Sequence, residues 1–237
     1  MGESGWLSQA AAWGVALSSP QVAQFGRYLA LLLAWNERLN LTAVREPAAI
    51  EQRHFLDSLS CALVTGDLNG RAFIDVGSGA GFPGLPLKIL FPQMQLTLVE
   101  SVAKKTDFLL TVAADLGFDD VAVVVERAET LGQSPAHRER YDWAAARGVA
   151  EMRVLAEYLL PLCRVGGQML AQKGSGAMAE TAVAAQAIET LGGGTPHFTP
   201  VHLPGREESH YLVVIPKVAA TPSAYPRRPG MPGKRPL

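Results

Sequence analysis

The chain has 237 residues, 48% hydrophobic and 18% charged, long enough for one large α/β core. It contains no unbroken apolar run of about 18 residues, so no membrane span is expected. Residues 1–20 lack the basic-then-apolar order of a secretory signal, and the two cysteines, Cys61 and Cys163, are too few for a disulfide framework or a zinc site. A cytoplasmic monomer without a metal is the expectation.

In chain order, Ser19 and Pro20 read as the cap and first turn of a helix. Val22, Phe25, Leu29, Leu32 and Leu33 follow at helical spacing. Pro47 opens a second helix running to about Leu63. Strand-like apolar runs then recur at 72–76, 95–100, 121–126, 141–147 and 168–173, separated by helical stretches at 85–91, 102–116, 151–160 and 177–191. This alternation predicts a doubly wound parallel sheet. Two further runs, 197–203 and 210–215, flank the short loop 204–209 and read as a hairpin. The last strand of a seven-stranded sheet is therefore expected to be antiparallel. The expected organisation is a helical extension over 1–70, an α/β domain over 71–217 and a tail over 218–237.

The tail region is basic. Residues 216–237 hold Lys217, Arg227, Arg228, Lys234 and Arg235 and no acid; the net charge of −1 becomes −6 without those five. Six prolines in the same stretch exclude a helix or a central strand. It reads as an extended arm that either neutralises phosphates, through Arg227, Arg228, Lys234 and Arg235, or serves as a solubilising terminus.

The most informative segment is Phe73-Ile74-Asp75-Val76-Gly77-Ser78-Gly79-Ala80-Gly81-Phe82-Pro83-Gly84. An apolar run ends in an acid, glycines alternate, and a second acid, Glu100, closes the next apolar run. That is the layout of a nucleotide-like cofactor site at the carboxyl ends of parallel strands. A dinucleotide fits poorly. Pro83 has no amide hydrogen where a pyrophosphate needs a donor, and Asp75 repels phosphate. S-Adenosylmethionine carries no phosphate but an ammonium and a sulfonium, so a Rossmann-like class I S-adenosylmethionine-dependent methyltransferase is the expected fold.

The turn after each strand then supplies the candidate site. Gly77 and Phe82 follow the first strand, with Asp75 and Gly79 beside them. Glu100 is placed for the ribose hydroxyls, with Ser101 next to it and Val102 packing on the adenine. Ala128 and Glu129 follow the third strand, and Glu129 either takes the adenine amino hydrogens or is a solvated loop residue. Arg147 ends the fourth strand, where an arginine closing an apolar run needs a partner; it is the candidate catalytic residue. Lys173 ends the fifth strand, as phosphate contact or solvated loop end. His54 and Asp57, three apart on one helix face, either orient the substrate or brace the domain.

Missing motifs narrow the reaction. No Asn/Asp-Pro-Pro-Tyr segment and no Pro-Cys pair follow the fourth strand, which argues against exocyclic-amine methylation and against cysteine attack on a pyrimidine. A ring nitrogen with a free lone pair, such as that in the imidazole half of guanine, fits what remains.

Nearly the whole chain resembles the bacterial small-subunit ribosomal RNA guanine methyltransferase (glucose-inhibited division protein B) family. The resemblance rests on Trp35-Asn36-Glu37 with Asn40-Leu41-Thr42, His54 with Asp57-Ser58, and the glycine segment with its Phe82-Pro83-Gly84 extension. It continues through Lys104-Lys105, Arg127-Ala128-Glu129, Arg147, Lys173-Gly174 and the basic tail. It implies a methyltransferase domain with an N-terminal helical extension, methylation of a guanine N7 in 16S ribosomal RNA, and RNA or a small-subunit precursor as partner. It also implies cofactor contacts at Gly77, Phe82, Ala128, Glu129 and Arg147. Two positions depart from the family pattern: Gly148 where an alanine is expected, and His210 where an arginine is expected to meet RNA. Two other readings stay open, a small-molecule methyltransferase and a cofactor-binding protein without catalysis.

Overall fold

The computed structural model describes residues 5–205 and 208–237. Residues 1–4, at the start of the expected extension, and Arg206 and Glu207, in the expected hairpin loop, lie outside the described residues. The apolar runs form β1 (Ala72–Val76), β2 (Gln95–Glu100), β3 (Ala122–Val125), β4 (Tyr141–Arg147), β5 (Cys163–Lys173), β6 (His197–Val201) and β7 (His210–Pro216). They join in one sheet of order β3-β2-β1-β4-β5-β7-β6. β1 pairs in parallel with both β2 and β4, so the strand order reverses between β1 and β4. β7 is antiparallel to both β5 and β6, as the hairpin predicts.

The helices are α1 (Gly5–Ala12), α2 (Ser19–Leu39), α3 (Pro47–Ile50), α4 (Asp57–Leu59), α5 (Ala62–Thr65), α6 (Gly84–Leu90), α7 (Ala103–Leu116), α8 (Ala128–Gln133), α9 (Met152–Leu159), α10 (Ala177–Val183), α11 (Ala185–Thr190) and α12 (Met231–Lys234). None of the described helices is long and apolar enough to cross a membrane. The cap of α2 is Ser18 rather than Ser19. The Gln21 side chain accepts the Ser18 N–H at 2.8 Å and donates to the Ile89 carbonyl at 2.8 Å, tying the helix start to α6.

Strand alternation divides the core. Phe73, Leu96, Leu98, Trp143, Ala145, Leu170, Leu212 and Val214 face α2, α6, α7 and the N-terminal helices, where Trp6, Phe25, Tyr28 and Phe55 fill the space. Ile74, Val76, Val99, Ala144, Ala146, Met169, Ala171, Val213 and Ile215 face α9 to α11. The helical extension therefore shares one core with the sheet. Trp6 meets Phe25 edge-on at 5.2 Å, and Tyr28 stacks on Phe82 at 5.5 Å.

Three expectations change. The second helix is not continuous α-helix: residues Glu51–Leu56 form a π-helical stretch between α3 and α4, a distortion often found at functional sites. The expected helix over 177–191 is two helices that join at Ala184, with φ −85° and ψ −1°. The tail is not an extended arm. It crosses the α8–α9 side and ends in α12, because short helices tolerate proline at their first turn and Pro232 sits there. Pro226 packs so closely on Gly132 that a Cβ on that glycine would lie 2.6 Å from the proline ring.

Candidate cofactor and base site

The glycine turn needs its glycines. Gly77 has φ +71°, and a Cβ there would lie 2.6 Å from the Val149 side chain. Gly81 has φ +94°, and a Cβ would strike Leu85 at 2.5 Å. Gly148 has φ +66°, so glycine suits the left-handed backbone just after Arg147 better than the alanine expected there.

A cavity of 490 Å³ opens at the switch point, beside Gly77, Ser101, Ala128 and Glu129. Sequence reasoning missed Glu126, Val149, Glu151, Val154 and Tyr158 in its wall, and Gly233 and Pro236 from the tail. The last two carry no local signal; only the path of the tail brings them there. The acids Glu126, Glu129 and Glu151 line it with one basic residue, Arg127, an acceptor set suited to a cationic ligand without phosphate. Among the described residues, no group of three His, Cys, Asp or Glu side chains is placed to hold a metal.

Several expected residues take other parts. Glu100 is buried and accepts the Gly79 N–H at 3.1 Å and the Val102 N–H at 3.0 Å, so it braces the glycine turn and the start of α7. Val102 is 45% exposed and does not line the cavity. Glu129 is buried and accepts the Gly230 N–H at 2.8 Å, which ties the cavity wall to the tail. Lys173 Nζ is held by Glu180 at 2.6 Å and the Ala150 carbonyl at 2.9 Å. Arg227 forks onto the fully buried Glu157, with Nη2 to Oε2 at 2.6 Å and Nε to Oε1 at 2.9 Å. These two cations thus satisfy acids of the fold rather than phosphate, Arg227 a fully buried one and Lys173 a partly exposed one. Arg228, Lys234 and Arg235 remain exposed.

Asp75 is the clearest relocation. Alternation puts it on the Phe73 face, away from the acid-lined cavity. It is fully buried, and Oδ2 accepts the Gly84 N–H at 2.9 Å while Oδ1 has no partner. Burial raises its pKa from 3.8 to about 7, against the lowering effects of the Gly84 N–H and Arg147. A carboxyl whose folded pKa is raised favours folding when protonated, and that stability is lost as pH rises from about 4 to about 7. Asp75→Asn is expected to escape that loss: its melting temperature relative to the parent protein should climb across this pH window and then level off. A constant difference from pH 4 to pH 8 would contradict the assignment.

Glu100→Ala is expected to weaken cofactor binding more than RNA binding, by about 1.5–3 kcal/mol, because the charge-assisted hydrogen bonds that hold the Gly79 and Val102 N–H groups shape the glycine turn. Equal weakening for both ligands, measured calorimetrically on folded protein, would remove Glu100 from the cofactor site.

Arg147 sits at the centre of a polar chain. The buried Asn36 donates to the Thr42 carbonyl and accepts the Thr42 N–H, both at 2.9 Å. Thr42 Oγ1 meets His54 Nε2 at 2.7 Å, and His54 Nδ1 lies 3.3 Å from Arg147 Nη2. Arg147 Nη1 reaches Asp57 Oδ2 at 3.0 Å. Its guanidinium lies 4.8 Å from the Phe82 ring, on which His54 also stacks at 4.8 Å. His54 and Asp57 therefore hold the arginine. A cleft of 130 Å³ runs from Gly77 and Gly79 past Phe82 to His54 and Arg147. A further recess of 290 Å³ begins at the same His54 and Arg147 and ends at Gln172, Lys173 and His210.

Residues 21–208 match the family model described as rRNA small subunit methyltransferase G, GidB. The chain is 55% identical over 231 residues to the ribosomal RNA small subunit methyltransferase G of Roseiflexus castenholzii, covering 98% of both chains. It is 51% identical over 228 residues to that of Chloroflexus aggregans, covering 95% of this chain and 94% of the relative. Among solved structures, it resembles the geranyl diphosphate C-methyltransferase of Streptomyces coelicolor, with a TM-score of 0.55 at 15% identity over 75% of this chain and 84% of that one. It also resembles the precorrin-6y C5,15-methyltransferase of Geobacter metallireducens, with a TM-score of 0.51 at 12% identity over 68% and 87%. At such identities the structural likeness establishes the fold, a class I methyltransferase.

Proposed function

The chain belongs to the rRNA small subunit methyltransferase G family, and from that premise we propose that it transfers a methyl group from S-adenosylmethionine to N7 of a guanine in 16S ribosomal RNA. The observation that carries the reading is the junction of the cavities. The acid-lined cavity and the cleft share Gly77, and the cleft and the recess share His54 and Arg147. A cofactor held in the first and a base held in the last meet at Arg147.

Bound S-adenosylmethionine supplies a methyl group on a positively charged sulfur. The N7 of guanine has a free lone pair and no proton to lose, so the chain need not provide a base. Its residues bind, orient and exclude water. Gly77 and Gly79 let the backbone approach the cofactor, Glu129 and Ala128 border its cavity, and Phe82 with Arg147 forms the floor between the two reactants. Holding two reactants in line is worth about 7–11 kcal/mol in well-oriented cases. An A-form major groove is too deep and narrow for side chains, so the target guanine is presented unpaired or turned outward. The protein acts as a cytoplasmic monomer, with Arg228, Lys234 and Arg235 and the recess residue His210 toward the RNA.

Tritiated S-adenosylmethionine offered with free 16S ribosomal RNA, intact small subunits and a metabolite pool tests this. Label should enter RNA in at least one of the first two. Label confined to the metabolite pool would make it a small-molecule methyltransferase, and cofactor binding without any transfer would make it a non-catalytic binder.

A further inference from the structure

The recess beyond Arg147 has a buried acceptor that nothing among the described residues satisfies. Strand register places Arg147 opposite Gln172, and alternation turns both toward the N-terminal helices, on the face of Ala145 and Leu170. There they meet Asp57. Gln172 is 7% exposed; its Nε2 donates to the Asp57 carbonyl at 2.9 Å, while its Oε1 is buried without a partner. Asp57 is 6% exposed. Arg147 holds its Oδ2 at 3.0 Å, but the His210 Nδ1 stands 3.9 Å from Oδ1, beyond ordinary hydrogen-bond reach. The recess therefore presents the orphaned Gln172 Oε1 and, beside it, the Asp57 carboxylate, in a setting that is otherwise cationic, with Arg53, His54, Arg147 and His210 around them.

An orphaned buried acceptor normally costs stability, and in a native protein it points to an absent donor. We propose that the recess is the target-base pocket and that Gln172 and Asp57 read the guanine edge opposite N7. Gln172 Oε1 accepts a hydrogen of the 2-amino group, and the Asp57 carboxylate accepts N1–H. This rests on the functional reading above and names the residues that select the base. The recess volume, 290 Å³, falls just below the range for small-molecule sites, ~300–1,000 Å³, and suits one planar base. Adenine has neither N1–H nor a 2-amino group and would offer neither acceptor a hydrogen, the situation in which hydrogen-bonding sites discriminate strongly.

The test compares small subunits carrying guanine or inosine at the methylated position, once that position is mapped; the inosine is introduced by splint ligation of the 16S RNA. Inosine keeps N7, O6 and N1–H and lacks only the 2-amino group. The parent protein should methylate inosine subunits at least tenfold more slowly in kcat/KM. Gln172→Met, which keeps the shape but not the acceptor, should lose at least tenfold on guanine subunits and show a guanine-to-inosine ratio near one. Its S-adenosylmethionine affinity should stay within twofold of the parent's, which also reports folding. Equal rates on guanine and inosine by the parent protein would overturn the pocket assignment, whether or not the variant folds. A folded Gln172→Met that keeps full discrimination would overturn it too. No transfer to either RNA by the parent protein would overturn the functional reading, and the pocket with it; transfer without discrimination overturns the pocket alone.

Discussion

Arg147→Ala is expected to slow single-turnover methyl transfer by well over tenfold, more than about 1.4 kcal/mol of barrier. The guanidinium is fixed by three constraints: Asp57 at 3.0 Å, His54 at 3.3 Å and the Phe82 face at 4.8 Å. Such a group is held for its position, where the cofactor cleft opens into the recess. Its loss leaves the Asp57 carboxylate, 8% exposed at the side chain, with His210 at 3.9 Å, and breaking a buried pair costs about 3–5 kcal/mol, less where one partner keeps some water. A stability loss should therefore accompany the kinetic one. Arg147→Lys separates the two: it restores a charge for Asp57 but not the planar fork over Phe82. The lysine variant should recover melting temperature more than rate. Normal single-turnover rates in folded Arg147→Ala would remove this residue from the reaction site.

Deleting residues 225–237 is expected to lower both stability and cofactor affinity. The deletion strips Arg227 from the fully buried Glu157, removes the Tyr225 carbonyl that Arg138 Nη1 reaches at 2.7 Å, and takes Pro226 off Gly132. Leaving a buried carboxylate unpaired costs about 3–5 kcal/mol. For a chain of this size that corresponds to a fall of roughly 6–20 °C in melting temperature. Cofactor affinity should drop because Gly233 and Pro236 wall the acid-lined cavity and Gly230 N–H holds Glu129. An unchanged melting temperature and an unchanged affinity would return the tail to an extended arm. Replacing only Arg228, Lys234 and Arg235 by alanine isolates electrostatics. If all three touch single-stranded RNA phosphates, the slope of log affinity against log salt should shrink by up to about 2, at ~0.7 per phosphate.

The sheet was legible because its signals are local. Most strands are apolar runs bounded by turn residues; β1, β2 and β4 have the bounds that the sequence suggests, β5 begins at Cys163, five residues before the expected run, because Arg164 to Gly167 hide its start, and the hairpin predicts the antiparallel β7. The glycine turn was legible for a related reason: Gly77 and Gly81 hold backbone conformations that other residues resist. What the sequence hid depends on distant partners. Six prolines and five cations say nothing about Glu157 waiting under Arg227, so a strap reads as an arm. Likewise Lys173 has Glu180, and Glu100 is claimed by the N–H groups of Gly79 and Val102. Asp75 misled through its neighbours: adjacency to the glycines suggests a cofactor contact, while strand parity sends it to the other face. The π-helical stretch that carries His54 beside Asp57 has no one-residue signature.

Position-specific detection of the methyl group tests the central claim most directly. N7-methylation makes the guanosine ring labile, so borohydride followed by aniline cleaves the RNA at the modified nucleotide. After incubation with the parent protein and S-adenosylmethionine, 16S RNA should yield scission at one guanine, absent without cofactor and strongly reduced with folded Arg147→Ala. RNA that gains label but resists cleavage would place the methyl elsewhere on the nucleotide. RNA that gains none, as free molecule and as small subunit alike, would contradict the account.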